Sequence, residues 1–334
     1  MIPTQYRALR ITETPEGEFK REITEVPLDT LPTFEDEVLI EVHYAALNYK
    51  DALSATGNKG VSRKYPHTPG IDAAGEVVSS KHPDFAPGMK VLCTSFDLGM
   101  NTPGGFAKYI RVPGSWVLPL PNNFDLRESM VQGTAGFTAG LGLYKMEQMG
   151  QTPEMGPLLV TGASGGVGSL AVSIFAKAGY EVIAVTGKPE ASEYLKGLGA
   201  SQIMSREEVT EGGNRPMLKA RWAGALDTVG GEMLSAVIRS TGYNGNVAVC
   251  GLVASPTFDA NVFPFILRGV NVLGVESAEC AMPLRKAVWE KLAGPWRVPV
   301  SDDMVTEVSL EELNETYIDR ILQGKTKGRV LVKP

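Results

Sequence analysis

The chain has 334 residues, which at roughly 150 residues per domain points to two domains, each large enough to bury its own core. A hydrophobic content of 43% and a charged content of 21% are ordinary for a globular protein and exclude a disordered, fibrous or disulfide-scaffold chain. Lys and Arg total 32 against 38 Asp and Glu, a net charge of −6, so no general attraction to nucleic acid or to an anionic membrane is expected, and an anionic ligand needs a local basic pocket.

Cys93, Cys250 and Cys280 are odd in number and far apart, which suits a reducing compartment and no disulfide framework; the three histidines leave a thin set of metal ligands. The opening segment Met1 to Arg7 has no apolar leader, and no stretch reaches the eighteen or so apolar residues of a membrane span. A cytoplasmic protein is the expectation.

From residue 1 to about 125 short alternating segments such as Glu37–Val42 and Ala74–Val78 predict a β-rich domain. Pro-Gly pairs at 69–70, 87–88, 103–104 and 113–114 predict tight connections, and a barrel-like closure is the simplest arrangement. From about 157 the rhythm changes. The apolar run Leu158–Val160 precedes a helical pattern at Val167, Leu170, Ala171, Ile174, Phe175 and Ala178. Further strands are expected at 180–185, 224–229, 246–250 and 270–275, and apolar strands separated by helices imply a parallel sheet covered on both faces. An amphipathic helix around Leu310 to Leu322 and a strand at 329–333 close the chain.

Gly162-Ala163-Ser164-Gly165-Gly166-Val167-Gly168 lies directly between the first apolar strand and its helix. A dinucleotide pyrophosphate needs bare backbone N–H groups at a helix N-terminus; Gly165, Gly166 and Gly168 permit the turn, the close approach and the helix–strand packing. Without the second strand the same cluster would be only a tight turn. The end of that strand, Thr186-Gly187-Lys188, lacks the acid that holds the ribose 2′-hydroxyl of NAD, and with Arg206 after the third strand it suits a 2′-phosphate. The alternative is that Lys188 and Arg206 are solvated and Glu190 holds a ribose.

Asn48 and Asp51 have the spacing of a helix N-cap and its reciprocal partner, so a capping box and a functional role stand level. Tyr49, at the first helical position, has a hydroxyl available to a substrate or cofactor, with packing as its other explanation. His67 reads as a loop residue, Cys250 as buried and inert. Lys59, Arg63 and Lys64 read as a solvated face, with the phosphates of coenzyme A as the alternative.

Asn-Tyr-Lys-Asp at 48–51, Pro-Gly-Ile-Asp at 69–72, Gly-Thr-Ala-Gly-Phe-Thr-Ala at 133–139, the glycine turn at 161–168, Pro-Phe-Ile-Leu-Arg-Gly at 264–269 and Gly-Arg-Val-Leu-Val at 328–332 carry a resemblance. Over nearly its whole length the chain resembles the zinc-independent medium-chain dehydrogenases/reductases, in the quinone oxidoreductase branch that includes NADPH-dependent acrylyl-CoA reductases. The resemblance implies an α/β protein with a GroES-like catalytic domain from residues 1–128 and 298–334, and a Rossmann NADPH-binding domain over 129–297. It implies no zinc: Asn48-Tyr49 and Ile71-Asp72 stand where the zinc alcohol dehydrogenases have Cys-His and His-Glu.

It also implies cofactor contacts from Tyr49, Thr138, Ser164, Gly165, Gly166, Val167, Gly168, Thr186, Gly187, Lys188, Arg206, Leu252, Ile266 and Ser277. Catalysis would rest on Tyr49, with Asn48 and Asp51 shaping its helix. The implied activity is NADPH-dependent reduction of the C=C bond of acrylyl-CoA or a similar short enoyl thioester. The alternatives are reduction of quinones or α,β-unsaturated carbonyls, and an NADPH-binding sensor without catalysis. A homodimer paired through the strand near Val270 to Ser277 is implied as well.

Overall fold

The computed structural model describes residues 2–213 and 215–334. Contacts divide the chain into two units, Met1–Thr134 with Ala278–Ala287 and Val300–Pro334, and Ala135–Ser277 with Val288–Pro299. These units divide the chain at other points than 128/129 and 297/298. Thr134 stays with the first unit because its backbone and hydroxyl bond to Asp72, and 278–287 stays there because the buried Arg285 guanidinium donates to the Thr94 carbonyl at 3.1 Å.

In the first unit β1 (Gln5–Glu13) and β2 (Phe19–Pro27) form an antiparallel ribbon. The main sheet contains β3 (Glu37–Ala46), β4 (Asp72–Ser80), β5 (Lys90–Thr94), β6 (Tyr109–Pro113) and β7 (Val117–Pro119). Alternation in β3 sends Val38, Ile40 and Val42 into a core with Leu9, Phe106 and Ile110. Between β3 and β4 the chain forms α1 (Tyr49–Ala55), and α2 (Leu126–Gln148) follows β7, with a non-helical break at Gly133.

The second unit contains β8 (Leu158–Val160), α3 (Gly166–Lys177), β9 (Val182–Val185), α4 (Ser192–Gly197), β10 (Gln202–Met204), α5 (Arg206–Thr210), β11 (Trp222–Asp227), α6 (Gly231–Arg239), β12 (Thr241–Val249), α7 (Phe263–Arg268) and β13 (Asn271–Gly274). Its strands are all parallel in the order β10-β9-β8-β11-β12-β13, a doubly wound sheet whose direction of winding reverses between β8 and β11. Ligands of such sheets bind at the carboxyl ends of the strands beside that reversal. α3 is buried all round from Gly168 to Phe175 rather than on one face, since Ser169 and Ser173 on the other side are small and covered too.

The chain then returns to the first unit with β14 (Val305–Ser309) and β15 (Arg329–Lys333). The sheet there runs β14-β15-β3-β4-β5-β7, with β6 also on β3. Because β6 and β15 both pair with one edge of β3 while β4 takes the other, the sheet branches at β3. The expected final helix is present over 310–322 but includes a π turn, Leu313–Tyr317. Among the described residues no helix is long and apolar enough to cross a membrane.

Where β8 runs into α3 the backbones nearly touch: a Cβ on Gly168 would lie 2.3 Å from the Gly162 carbonyl oxygen. Gly168→Ala therefore has to push α3 off β8, at a cost of ~1–3 kcal/mol. A lowered melting temperature checks this, and an unchanged one would refute the close approach.

Candidate active site

The first unit gathers its candidate residues around α1. Asn48 stands at the N-cap in extended conformation, and its backbone N–H donates to Asp51 Oδ2 at 2.7 Å, the reciprocal bond of a capping box. Asp51 Oδ1 accepts from the Ile71 N–H at 2.8 Å, which ties α1 to the segment entering β4. Tyr49 is the first helical residue and is 37% exposed, so its ring is not consumed by packing.

The Asn48 carboxamide has a second task. Its Nδ2 donates to Asp72 Oδ2 at 2.8 Å, and its Oδ1 accepts from Arg329 Nη1 at 3.2 Å. Asp72 is fully buried and also accepts the Thr134 hydroxyl at 2.6 Å and the Thr134 N–H at 3.0 Å. Because the Thr134 proton goes to Asp72, the Ser95 hydroxyl 2.8 Å away donates to Thr134 Oγ1. Arg329, 2% exposed, lies 3.6 Å from Asp72 and donates Nε to the Val131 carbonyl at 2.9 Å. Gly133 has φ +48°, and a Cβ there would come within 2.5 Å of Asp72 Oδ2. Only glycine fits over this ion pair.

Desolvation dominates the electrostatics. It raises Asp72 even against the pull of Arg329, Thr134 and Asn48, and it lowers Arg329. Asp51 is pushed up to about 7, first by burial and then by the charge of Asp72. His67 is buried, hydrogen-bonded to the Gly99 carbonyl at 2.9 Å and lowered by burial, as suits a structural residue.

In the second unit the glycine turn follows β8 and is fastened to β9 by the Ala163 N–H, which donates to the Val185 carbonyl at 3.0 Å. Gly165 caps α3, whose first turn contains Gly166, Val167 and Gly168 and leaves backbone N–H groups for an anion. Thr186 donates to Ser164 Oγ at 3.3 Å and accepts from the Lys188 N–H at 3.1 Å. The exposed Arg206 lies against Gly187: a Cβ there would be 2.8 Å from Arg206 Nε. The Ser164 and Thr186 hydroxyls, the Lys188 backbone N–H and the Arg206 side chain thus gather around the end of β9, and Glu190 stands exposed in the turn beyond them.

Thr138 donates to Ser277 at 2.9 Å, so these two candidates also meet. Leu252 is 61% exposed beyond the carboxyl end of β12 and Ile266 69% exposed on α7, both apart from the hydrogen-bonded cluster. Cys250 is half-buried rather than buried, with its thiol pushed up to about 12 by desolvation. Asp227, at the end of β11, accepts from Thr161 at 2.7 Å and from the Gly230 N–H at 2.7 Å, joining the ends of β8 and β11 where the winding reverses.

Comparison with known proteins bears on this arrangement. The family described as Alcohol dehydrogenase GroES-like domain matches residues 35–122, and that described as Zinc-binding dehydrogenase matches 166–293. YhfP of Bacillus subtilis, named as a quinone oxidoreductase, is 49% identical over 302 residues, covering 89% of this chain and 90% of that protein. Acrylyl-CoA reductase AcuI of Ruegeria pomeroyi is 42% identical over 316 residues, 95% of each. The chain belongs to the medium-chain dehydrogenase/reductase family. Within that family its fold matches the crystal structure of YhfP with NAD bound, at TM-score 0.94, 45% identity and coverage of 99% and 100%. It matches the Salmonella enterica YhdH oxidoreductase in complex with NADP at TM-score 0.93, 41% identity and coverage of 98% and 99%.

A zinc ion does not fit the residues of this family member. The resemblance implies that Asn48-Tyr49 and Ile71-Asp72 stand where zinc relatives have ligands; the Asp72 carboxylate is taken up by Thr134, Asn48 and Arg329, and among the described residues no three His, Cys, Asp or Glu side chains gather to hold a metal. Sequence reasoning missed the roles of Asp72, Thr134, Arg329 and Asp227. The signal was present for the first three, since four of the motifs that carry the family resemblance turn out to meet at one buried ion pair.

Both Asp51 oxygens accept main-chain N–H groups and an asparagine can match only one of them, so Asp51→Asn costs ~1–3 kcal/mol. With the folded pKa about 7 and an unfolded value of about 3.9, folding takes up a proton between them, and this carboxyl contributes less stability as pH rises through that window. Urea unfolding should show the gap between wild type and variant narrowing from about pH 4 to 7; a constant gap would mean that Asp51 ionises normally.

Proposed function

We propose that the protein is an NADPH-dependent reductase of activated carbon–carbon double bonds, with acrylyl-CoA or a similar short enoyl-CoA thioester as substrate. The observation that carries this reading is the cluster at the end of β9, where Thr186 and Ser164 hydroxyls, Lys188 and Arg206 stand in place of an acid. A ribose 2′-phosphate is recognised by such donors, and an acid there would repel it. The 42% identity with AcuI over 95% of both chains supports the thioester. A second reading, reduction of quinones or α,β-unsaturated carbonyls, is favoured by the 49% identity with YhfP.

When bound, NADPH supplies the hydride, which goes to the β carbon of the alkene while a proton goes to the α carbon. The protein's own contribution is positioning and electrostatics. Gly165 to Gly168 and the start of α3 cradle the pyrophosphate, and Thr138, Leu252, Ile266 and Ser277 are assigned to the rest of the cofactor. Negative charge that develops on the thioester oxygen needs a donor, and the Tyr49 hydroxyl is assigned to it or to the α-carbon proton. Asn48 and Asp51 hold the helix that presents Tyr49. β13 lies at the edge of the parallel sheet, and its alternation of half-buried and exposed residues supports pairing with a second copy.

Tyr49→Phe should lower kcat at least tenfold and leave NADPH affinity within a few-fold, as a loss of ~1.4 kcal/mol or more in the transition state alone requires. Unchanged turnover removes Tyr49 from the assignment. Lys188→Ala with Arg206→Ala should weaken NADPH binding roughly 10- to 100-fold, as loss of charge-assisted bonds implies, with NADH little affected. Equal losses for the two cofactors would overturn the 2′-phosphate reading. Oxidation of NADPH followed at 340 nm with acrylyl-CoA, crotonyl-CoA and a simple quinone separates the two substrate readings.

A further inference from the structure

The segment after α1 folds back and is fastened to it. Ser62 is fully buried with its Oγ 2.6 Å from Ser54 Oγ of α1, and the Tyr65 hydroxyl donates to the Ser54 carbonyl at 2.8 Å. The Asn58 carbonyl accepts from the Val61 and Ser62 N–H groups at 2.9 and 3.1 Å, and the Arg63 N–H donates to Asn101 Oδ1 at 3.3 Å. Three cations stand on this segment. Lys59 is engaged: its Nζ is 2.5 Å from Glu13 and lies over the rings of Phe19 and Tyr65, 5.1 and 4.8 Å from their centroids. Arg63 and Lys64 are exposed, and no carboxylate among the described residues pairs with either. Asp97, which holds Asn101, accepts from the Asn101 amide and the Thr102 hydroxyl.

Two adjacent unneutralised cations on an anchored backbone, in a chain of net charge −6, form a local site for an anion. Because the backbone is ordered on folding, little further entropy is lost when a ligand arrives. The distance is also suitable. α1 has seven residues and is about 10 Å long, and the segment is fastened to Ser54 near its far end from Tyr49. The pantetheine arm of coenzyme A is comparable in length with four extended residues, ~14 Å. A thioester at the Tyr49 hydroxyl thus brings its phosphates within range of the segment at the other end of the same helix. We infer that Arg63 and Lys64 are the subsite for the phosphate groups of a coenzyme A thioester and set the preference for such substrates over uncharged ones. This deepens the enoyl-CoA reading and rests on it.

The test compares acrylyl-CoA with the N-acetylcysteamine thioester of acrylate, which has the same reacting group and no phosphate. In the double variant Arg63→Glu, Lys64→Glu the ratio of kcat/KM for the CoA ester to that for the short ester should fall at least tenfold, through KM of the CoA ester. The salt dependence of that KM should weaken with it, and Arg63→Lys should keep most of the preference. An unchanged ratio overturns the subsite, as do equal losses on both esters. A wild type that reduces both esters without preferring acrylyl-CoA overturns the subsite and leaves the reductase reading standing. One that reduces quinones but neither ester overturns the enoyl thioester reading and the subsite with it.

Discussion

The buried pair of Asp72 and Arg329 is the interaction on which the first unit depends. Neither charge reaches water, and burial alone disfavours both, so the pair depends on the hydrogen bonds its neighbours supply. Asn48 bonds to both partners at once, Thr134 gives Asp72 its N–H and its hydroxyl, and the carbonyls of Leu47 and Val131 accept from Arg329. Loss of one partner would leave the other buried and unmatched, a cost of ~3–5 kcal/mol. The residue before Tyr49 is therefore held in place by the last strand of the chain, some 280 residues away in sequence. That network specifies a position for α1 rather than adding much net stability.

The second unit solves a different problem, which is how to bring bare backbone to a bulky anion. Its means are steric. Gly168 and Gly162 let α3 begin almost on top of β8, and Gly187 lets the Arg206 side chain lie across the end of β9. Asp227 and Thr161 join the ends of β8 and β11 by buried hydrogen bonds, so the crevice at the reversal of winding is fixed before a ligand enters. A preorganised site of this kind loses little on binding, and in the proposed reading the charge-bearing residues around it select the dinucleotide.

Asn48 and Asp72 are absorbed into the network with Arg329, so in the proposed reaction electrostatic help to the substrate comes from hydrogen-bond donors. Tyr49 is exposed and rests on a helix whose first turn is tied down by Asp51 and Asn48, which is the condition for a hydroxyl to act at a defined point. Arg63 and Lys64, fastened to the other end of the same helix, extend that reading from the reacting bond to the remainder of the substrate.

Local pattern was enough for much of this. The alternation in β3, the apolar runs of β8, β9 and β11 and the strand–glycine–helix order at 158–168 determined the two architectures and the nucleotide turn, because each depends on neighbours within a few residues. Asn48 and Asp51 were recognisable as a capping pair for the same reason. The branching of the first sheet at β3, the π turn near the C-terminus and the burial of α3 on all sides were not readable, since each depends on packing against distant strands. Least readable was the ion pair. Asp72 and Arg329 are separated by more than 250 positions, and an acid in one strand and an arginine in another have no local pattern that announces their meeting. The sequence by itself determined which elements form and that a glycine turn joins β8 to α3. Only the tertiary structure decided that Gly133, Thr134, Asn48, Asp72 and Arg329 form one buried unit, because long-range electrostatic pairing is settled by the fold and not by spacing along the chain.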